Sequence, residues 1–394
     1  MARSKSPFQT VCRRLWKLLG CCVIVLSVAS ARGLADFGGF SPPLLISSGS
    51  GPTEVVAGDL DGDGDLDFAA VNYWDHSIRI IKRHANGSFV LAGLYTTGNY
   101  PQSISMGDFD ADGDLDLAVV GEYNSDFAFV HSNNGNGHFS SVETFPVGGS
   151  PRSVTAADVN GDGVPDLVVA NRMPSTVSIL ISNGAAGSGA SGAFQAQVVY
   201  ALGGAPSKII TEDLDGDGAL DIAVACWGSN DVRILTNHGA GTFSGPMIVP
   251  TDLMPYGVAA GDFDGDGRVD LATANFSNGT VSVLMGRPAT RVSKVAFASA
   301  VHLPVQSYNL RAIAVDDFDL DGNDDIVVAH GWSTVHTFLG VGDGSFLPPL
   351  SHAAGSQPRG IASADVDGDG DADLVVANFG NSKIGVLTNL TTIR

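Results

Sequence analysis

"GDLDGDGDLDF", residues 58–68, sets five aspartates between Asp59 and Asp67. Carboxylates packed this closely repel one another unless a cation holds them together. The stretch is not unique. The pattern D-x-[DN]-x-D-G-x-x-D begins at Asp59, Asp108, Asp158, Asp213, Asp262, Asp317 and Asp365. Successive copies lie 48 to 55 residues apart, so the chain is a repeat array.

The spacing suits a hard divalent cation. Position 3 holds Asp61, Asp110, Asn160, Asp215, Asp264, Asp319 and Asp367. Position 5 holds Asp63, Asp112, Asp162, Asp217, Asp266, Asp321 and Asp369, and position 6 is always glycine. Position 9 holds Asp67, Asp116, Asp166, Asp221, Asp270, Asp325 and Asp373. Alternate residues of a tight loop point inward, and calcium takes six to eight oxygens, so positions 1, 3, 5 and 9 are the expected ligands. Position 7 is expected to add a backbone carbonyl. The reading is calcium, about one ion per repeat. Asn160 makes the third loop the weakest expected site.

Strands flank each loop. "DLAVV", "DLVVA", "DIAVA" and "DIVVA" follow the loops as short, β-branched apolar runs. A third strand such as "TVSILI" comes next, then a hairpin signal such as "GAGTF", then a fourth strand. Four strands in about 50 residues, repeated seven times, predict an all-β, seven-bladed propeller. Phenylalanines mark the register. Phe89, Phe139, Phe194, Phe243 and Phe346 each precede the next loop by 19 residues, and Phe297 by 20. Phe40 stands 19 residues before Asp59, with no repeat ahead of it, and the chain ends 29 residues after Asp365. The last blade therefore lacks its fourth strand, and "FSPPLLISSG" is expected to complete it and close the ring.

Composition bounds the rest. The net charge of -21 argues against a nucleic-acid partner and against attachment to anionic lipid. Residues 1–31 read as a secretory leader, with cleavage after Ala31 or Ala35. An uncleaved anchor is the alternative, although the apolar run of about 13 residues falls short of the ~20 a span needs. Three of the four cysteines lie in the leader, so the exported chain keeps only Cys226 and has no disulfide. Losing five basic residues with the leader takes the formal charge from -21 to -26. The expectation is a secreted or extracellular protein, periplasmic or cell-surface in a bacterium, and monomeric. Residues 36–394 are read as one propeller.

The units resemble the FG-GAP/VCBS repeats of integrin α-subunit propellers and of many secreted microbial proteins. "GDFDGDGRVDLATANFSNGTVSVLMG" carries the likeness. The resemblance implies a seven-bladed propeller with calcium between the first two strands of each blade. It implies ligands on the opposite face, and it fixes no ligand. On that face the connections between strands 2 and 3 carry Trp74, Tyr123, Met173, Trp227, Phe276, Trp332 and Phe379. The entries to strand 1 bring Tyr100, Arg152, Lys208, Tyr256, Tyr308, Arg311 and Arg359. Aromatics beside arginines suit a sugar or an acidic polymer. The alternative is that the aromatics pack between blades. Trp74, Trp227, Trp332, Tyr256, Arg152, Arg311 and Arg359 are the candidate ligand residues.

No catalytic motif is evident. His330 and Cys226 take the position that holds Asn72, Asn171, Asn275 and Asn378 in other repeats, which marks both as structural. Two functions stand. One is a non-catalytic binding or adhesion module for carbohydrate or protein. The other is a propeller enzyme such as a polysaccharide lyase, using Arg311 or Arg359 with Tyr256 or Tyr308.

Overall fold

Each repeat folds where its sequence period changes. In the first blade β2 (Pro52–Gly58) precedes the aspartate loop, β3 (Asp67–Asn72) follows it, and β4 (Ser77–Arg83) and β5 (Phe89–Thr96) complete an antiparallel sheet. The computed structural model describes residues 37–394 except 124, 185–193, 289–293, 306–307 and 393–394. The leader therefore lies outside the described residues. Every described strand belongs to one of seven four-stranded antiparallel sheets. The second strand of each is buried along its whole length, as continuous apolar runs require.

The first strands build the ring. β2, β6 (Pro101–Gly107), β10 (Pro151–Ala157), β14 (Pro206–Glu212), β18 (Pro255–Gly261), β22 (Leu310–Asp316) and β26 (Pro358–Ala364) each contact the next, and β26 contacts β2. The result is a seven-bladed β-propeller. Its core is divided into seven apolar clusters, one at each junction between neighbouring blades. No blade has a core of its own, so the ring is the unit of stability. Side chains stitch the junctions. Asn133, Asn237 and Asn389 donate Nδ2 hydrogen bonds of 2.7–2.9 Å to the carbonyls of Leu60, Val159 and Phe318 in the preceding blade.

Closure follows the register read from the phenylalanines. β1 (Leu44–Ser47) pairs antiparallel with β28 (Lys383–Leu387), Leu44 opposite Val386 and Ser47 opposite Lys383. Together with β26 and β27 (Asp373–Asn378) they form the seventh blade. Phe40 bridges to Asn389 and meets Phe318 edge-on at 5.5 Å. The fourth strands are shorter than the phenylalanine register suggests in some blades. Phe194, Phe297 and Phe346 make isolated bridges outside the named strands, as Phe40 does. Pro42–Pro43 and Pro348–Pro349 explain two of these gaps, since proline has no N–H for the ladder.

Phe40→Ala is expected to lower the unfolding free energy by about 3–5 kcal/mol, because it empties the closure cluster. Leu45→Ala, an exposed residue of β1, is expected to change it by less than about 0.5 kcal/mol. Denaturant titration of both variants checks this. Equal effects would mean that the strand's register, and not the phenylalanine, closes the ring.

Candidate functional site

The aspartate loops are wired from within. In all seven, the position 1 carboxylate accepts the N–H of the position 6 glycine at 2.7–3.1 Å. Those glycines, from Gly64 to Gly370, have φ between +79° and +96°. A Cβ would meet nothing within 4 Å at any of them, so conformation and not space demands glycine. The position 5 carboxylate accepts the N–H of position 7 at 2.9–3.1 Å in every loop. Asn160 Oδ1 takes the Asp162 N–H at 2.8 Å, in the role of the aspartates at its position.

Position 9 does more than close the cage. Asp67 Oδ1 accepts the N–H of Arg83 at the end of β4, and its Oδ2 accepts the Leu60 N–H. The bond to the end of the third strand recurs in all seven blades at 2.6–2.9 Å. These aspartates are fully buried or nearly so. Burial first, and then the charges of their loop neighbours, push their carboxyls up against the pull of the N–H donors. Asp67, Asp166 and Asp373 stand at about 6, Asp116 and Asp221 at about 7, and Asp325 at about 8.

This arrangement fits a metal. Carboxylate oxygens of Asp59, Asp61 and Asp67 lie within 4.8 Å of one another, as do those of Asp213, Asp215 and Asp221, and of Asp317, Asp319 and Asp325. In the second loop the buried Asp110 Oδ1 and Asp116 Oδ2 have no hydrogen-bond partner. A cation would satisfy both. Basic side chains also reach three loops, which the sequence pattern did not show. Lys82 Nζ lies 2.9 Å from Asp61, Lys294 Nζ 2.7 Å from Asp217, and Arg268 pairs with Asp266.

The opposite face is shaped by bulges. The register shifts near the start of all seven first strands, between Pro52 and Glu54 in β2, for example, and between Leu310 and Ile313 in β22. The bulges help to re-aim side chains at the mouth of the central channel. Arg152, Lys208, Tyr256, Arg311 and Arg359 line a cavity of about 90 Å³ there. Arg152, Tyr256 and Arg311 also line a neighbouring cavity of about 220 Å³, together with Trp227 and Phe276. Tyr256 lies between two guanidinium groups, those of Arg152 and Arg311, each 5.0 Å from its ring. Arg311 Nη1 also donates to Tyr256 Oη at 3.2 Å.

An FG-GAP-like repeat model matches residues 59–119, 108–169, 161–224, 213–273 and 317–376, spans that contain all seven loops. The chain belongs to the FG-GAP-like repeat family. No curated protein matches this FG-GAP-like chain in sequence. Solved structures share its fold. A BBS1N structure in complex with ARL6DN is 15% identical with a TM-score of 0.62, covering 90% of this chain and 99% of that one. Virginiamycin B lyase from Staphylococcus aureus is 12% identical with a TM-score of 0.59, covering 89% and 100%. An Agrocybe aegerita lectin is 18% identical with a TM-score of 0.52, covering 86% of each.

Of the candidate ligand residues in this FG-GAP-like chain, Arg152, Tyr256, Arg311 and Arg359 come together at the channel mouth. Trp227 joins them through Arg172, whose guanidinium lies 4.9 Å from its ring. Trp74 sits elsewhere on the face, edge-on to Tyr73 at 4.7 Å. Tyr100 lies 5.0 Å from Tyr73 and 5.7 Å from Tyr123, and Phe379 lies 6.2 Å from Trp74. Arg359 lies over Phe379 and links this cluster to the channel. Trp332 is 68% exposed and joins neither group. Trp74, Tyr123 and Met173 are also exposed, whereas Trp227, Phe276 and Phe379 are partly buried, and the Trp74–Phe379 contact crosses from the first blade to the seventh. Tyr73 was not a candidate from sequence, although it follows Asn72 as Trp227, Phe276 and Phe379 follow Cys226, Asn275 and Asn378. Cys226 is buried, its thiol pushed up to about 12, which accords with a structural role.

The raised position 9 carboxyls give the metal-free protein a signed pH dependence. Their folded values lie above the unfolded one, so between about pH 4 and 8 the folded chain holds more protons than the unfolded chain. In excess chelator the melting temperature should rise as pH falls from about 8 to about 6. A melting temperature that is flat or falls over that range contradicts the burial of these charges.

Proposed function

We propose that this protein is a secreted, calcium-braced binding module that holds carbohydrate on the face opposite its aspartate loops. The observation that carries the reading is the cluster of Tyr73, Trp74, Tyr100, Tyr123 and Phe379, with Trp74 and Tyr123 more than half exposed. Exposed rings held by strand ends offer flat apolar faces for sugar rings, at little entropic cost on binding. The lectin of similar fold recognises non-reducing terminal N-acetylglucosamine, so the architecture is compatible with sugar binding.

Calcium is the ion the loops suit best, because every side-chain donor is an oxygen. Positions 1, 3, 5 and 9 of each loop would hold it. Extracellular calcium modules have Kd values of about 0.1–1 mM. At about 1 mM free calcium a site at the tight end contributes roughly 1.4 kcal/mol, and seven independent sites total on the order of 10 kcal/mol. That is comparable to the whole stability of a typical domain. The leader would deliver the chain to the compartment where calcium is plentiful. There the ion takes the place of disulfides, which a single mature cysteine cannot form.

A second reading rests on Tyr256. Its Oη accepts from Arg311 at 3.2 Å. In a uronate lyase that oxygen, deprotonated, would take the proton beside the carboxylate while the neighbouring C–O bond breaks and a C=C bond forms, and the resulting phenol would return the proton to the departing oxygen. Release of unsaturated oligosaccharides would place the protein in that class.

A glycan array probed with calcium and again with chelator tests the binding reading. Binding should require calcium, and Trp74→Ala should weaken it at least about tenfold, while Trp332→Ala should not. Capture of no glycan in calcium, or a Trp74→Ala variant that binds as well as the parent, contradicts the reading. Excess chelator should also lower the melting temperature by at least about 10 °C. A shift of a few degrees would mean that the loops do not brace the ring.

A further inference from the structure

The chain is strongly acidic, yet the mouth of its central channel is basic. Arg152, Arg172, Lys208, Arg311 and Arg359 meet there, against the carboxylates of Glu54 and Glu122. Five cations therefore face two acids. Glu122 is shared by Arg152 and Arg172. Lys208 reaches from the fourth blade across the channel to Glu54 in the first. Arg311 and Arg359 have no carboxylate partner among the described residues. Arg311 donates to Asn309 Oδ1 and Tyr256 Oη, and Arg359 lies over the Phe379 ring. Burial, and then the charges of Arg311 and Arg152, hold the Arg359 guanidinium down to about 9. Two part-buried guanidiniums of like charge, kept together without a counter-ion, are costly to the fold. They form a standing demand for an anion.

We propose that the channel mouth is an oxyanion site, in which Arg311 and Arg359 bind a carboxylate or sulfate carried by the ligand. The proposal rests on the reading that ligand binds this face, and it narrows the class to acidic glycans. The guanidinium fork matches the paired oxygens of either group. Arg359 is the hinge of the arrangement. It touches Phe379 on one side, so a sugar stacked on the aromatic cluster can place an acidic substituent in the channel mouth. Tyr256 and Arg152 form the far wall. The acidic surface elsewhere disfavours anions at every other part of the molecule, which makes this site selective.

Calorimetric titration of the calcium-loaded protein tests it. The probes are oligogalacturonate, a sulfated galactan oligomer, the neutral galactan oligomer and free inorganic sulfate. At least one acidic oligomer should bind about tenfold or more tightly than the neutral one. Arg311→Gln and Arg359→Gln should each remove that preference. Trp74→Ala should weaken acidic and neutral oligomers alike. Arg359→Gln should melt within about 3 °C of the parent, which keeps loss of binding distinct from loss of fold. Equal binding of acidic and neutral oligomers, unchanged by the arginine variants, overturns the oxyanion site and leaves the carbohydrate reading standing. Sulfate binding that depends on Arg311 and Arg359, with no oligomer bound, supports the oxyanion site and removes the carbohydrate reading. Failure of every anion to bind overturns the site.

Discussion

The position 9 aspartate is the joint on which each blade turns. Its side chain begins the second strand, receives an N–H from the end of the third, and faces the acids of the loop between the first and second. One carboxylate thus belongs at once to the sheet and to the cage. The cost is a buried charge among like charges, visible as carboxyls pushed up to about 6–8. A divalent ion at the cage would remove that cost and leave the sheet bonds in place, and so would couple its binding to blade geometry.

Because no blade has its own core, this local coupling becomes global. Each of the seven apolar clusters is shared by two blades, and Phe40, just ahead of β1, packs into the one between the sixth and seventh. A blade that loses its loop geometry loosens two junctions. The opposite face benefits from this rigidity. Bulges near the start of the first strands, held by a closed ring, keep arginines that repel one another at the channel mouth. The face with the anionic cages and the face with the cationic well are the two ends of the same strands.

Much of this was legible in the sequence because it is periodic. The loop spacing, the glycine at position 6 and the phenylalanine register repeat, and repetition distinguishes a cage from a turn. Ring closure was legible from Phe40 alone, since it falls in register with no repeat before it. The face opposite the loops was legible only in part. Tyr73 holds the repeat position of Trp227, Phe276 and Phe379, but its contacts with Tyr100 and Phe379 come from the second and seventh blades. The Lys208–Glu54 pair spans the channel between blades that are neither sequence neighbours nor adjacent in the ring. The bulges that aim Arg152 and Arg359 leave no mark that separates them from ordinary strand starts. Such features depend on what the closed ring brings together, and composition cannot show it.

The central claim is that seven carboxylate cages each take one calcium ion and that the ring depends on them. Equilibrium dialysis of the mature protein against calcium near 1 mM, followed by metal analysis, measures this most directly. The account predicts about seven ions per chain, with the Asn160 loop the last to fill. Two or fewer ions per chain would contradict it.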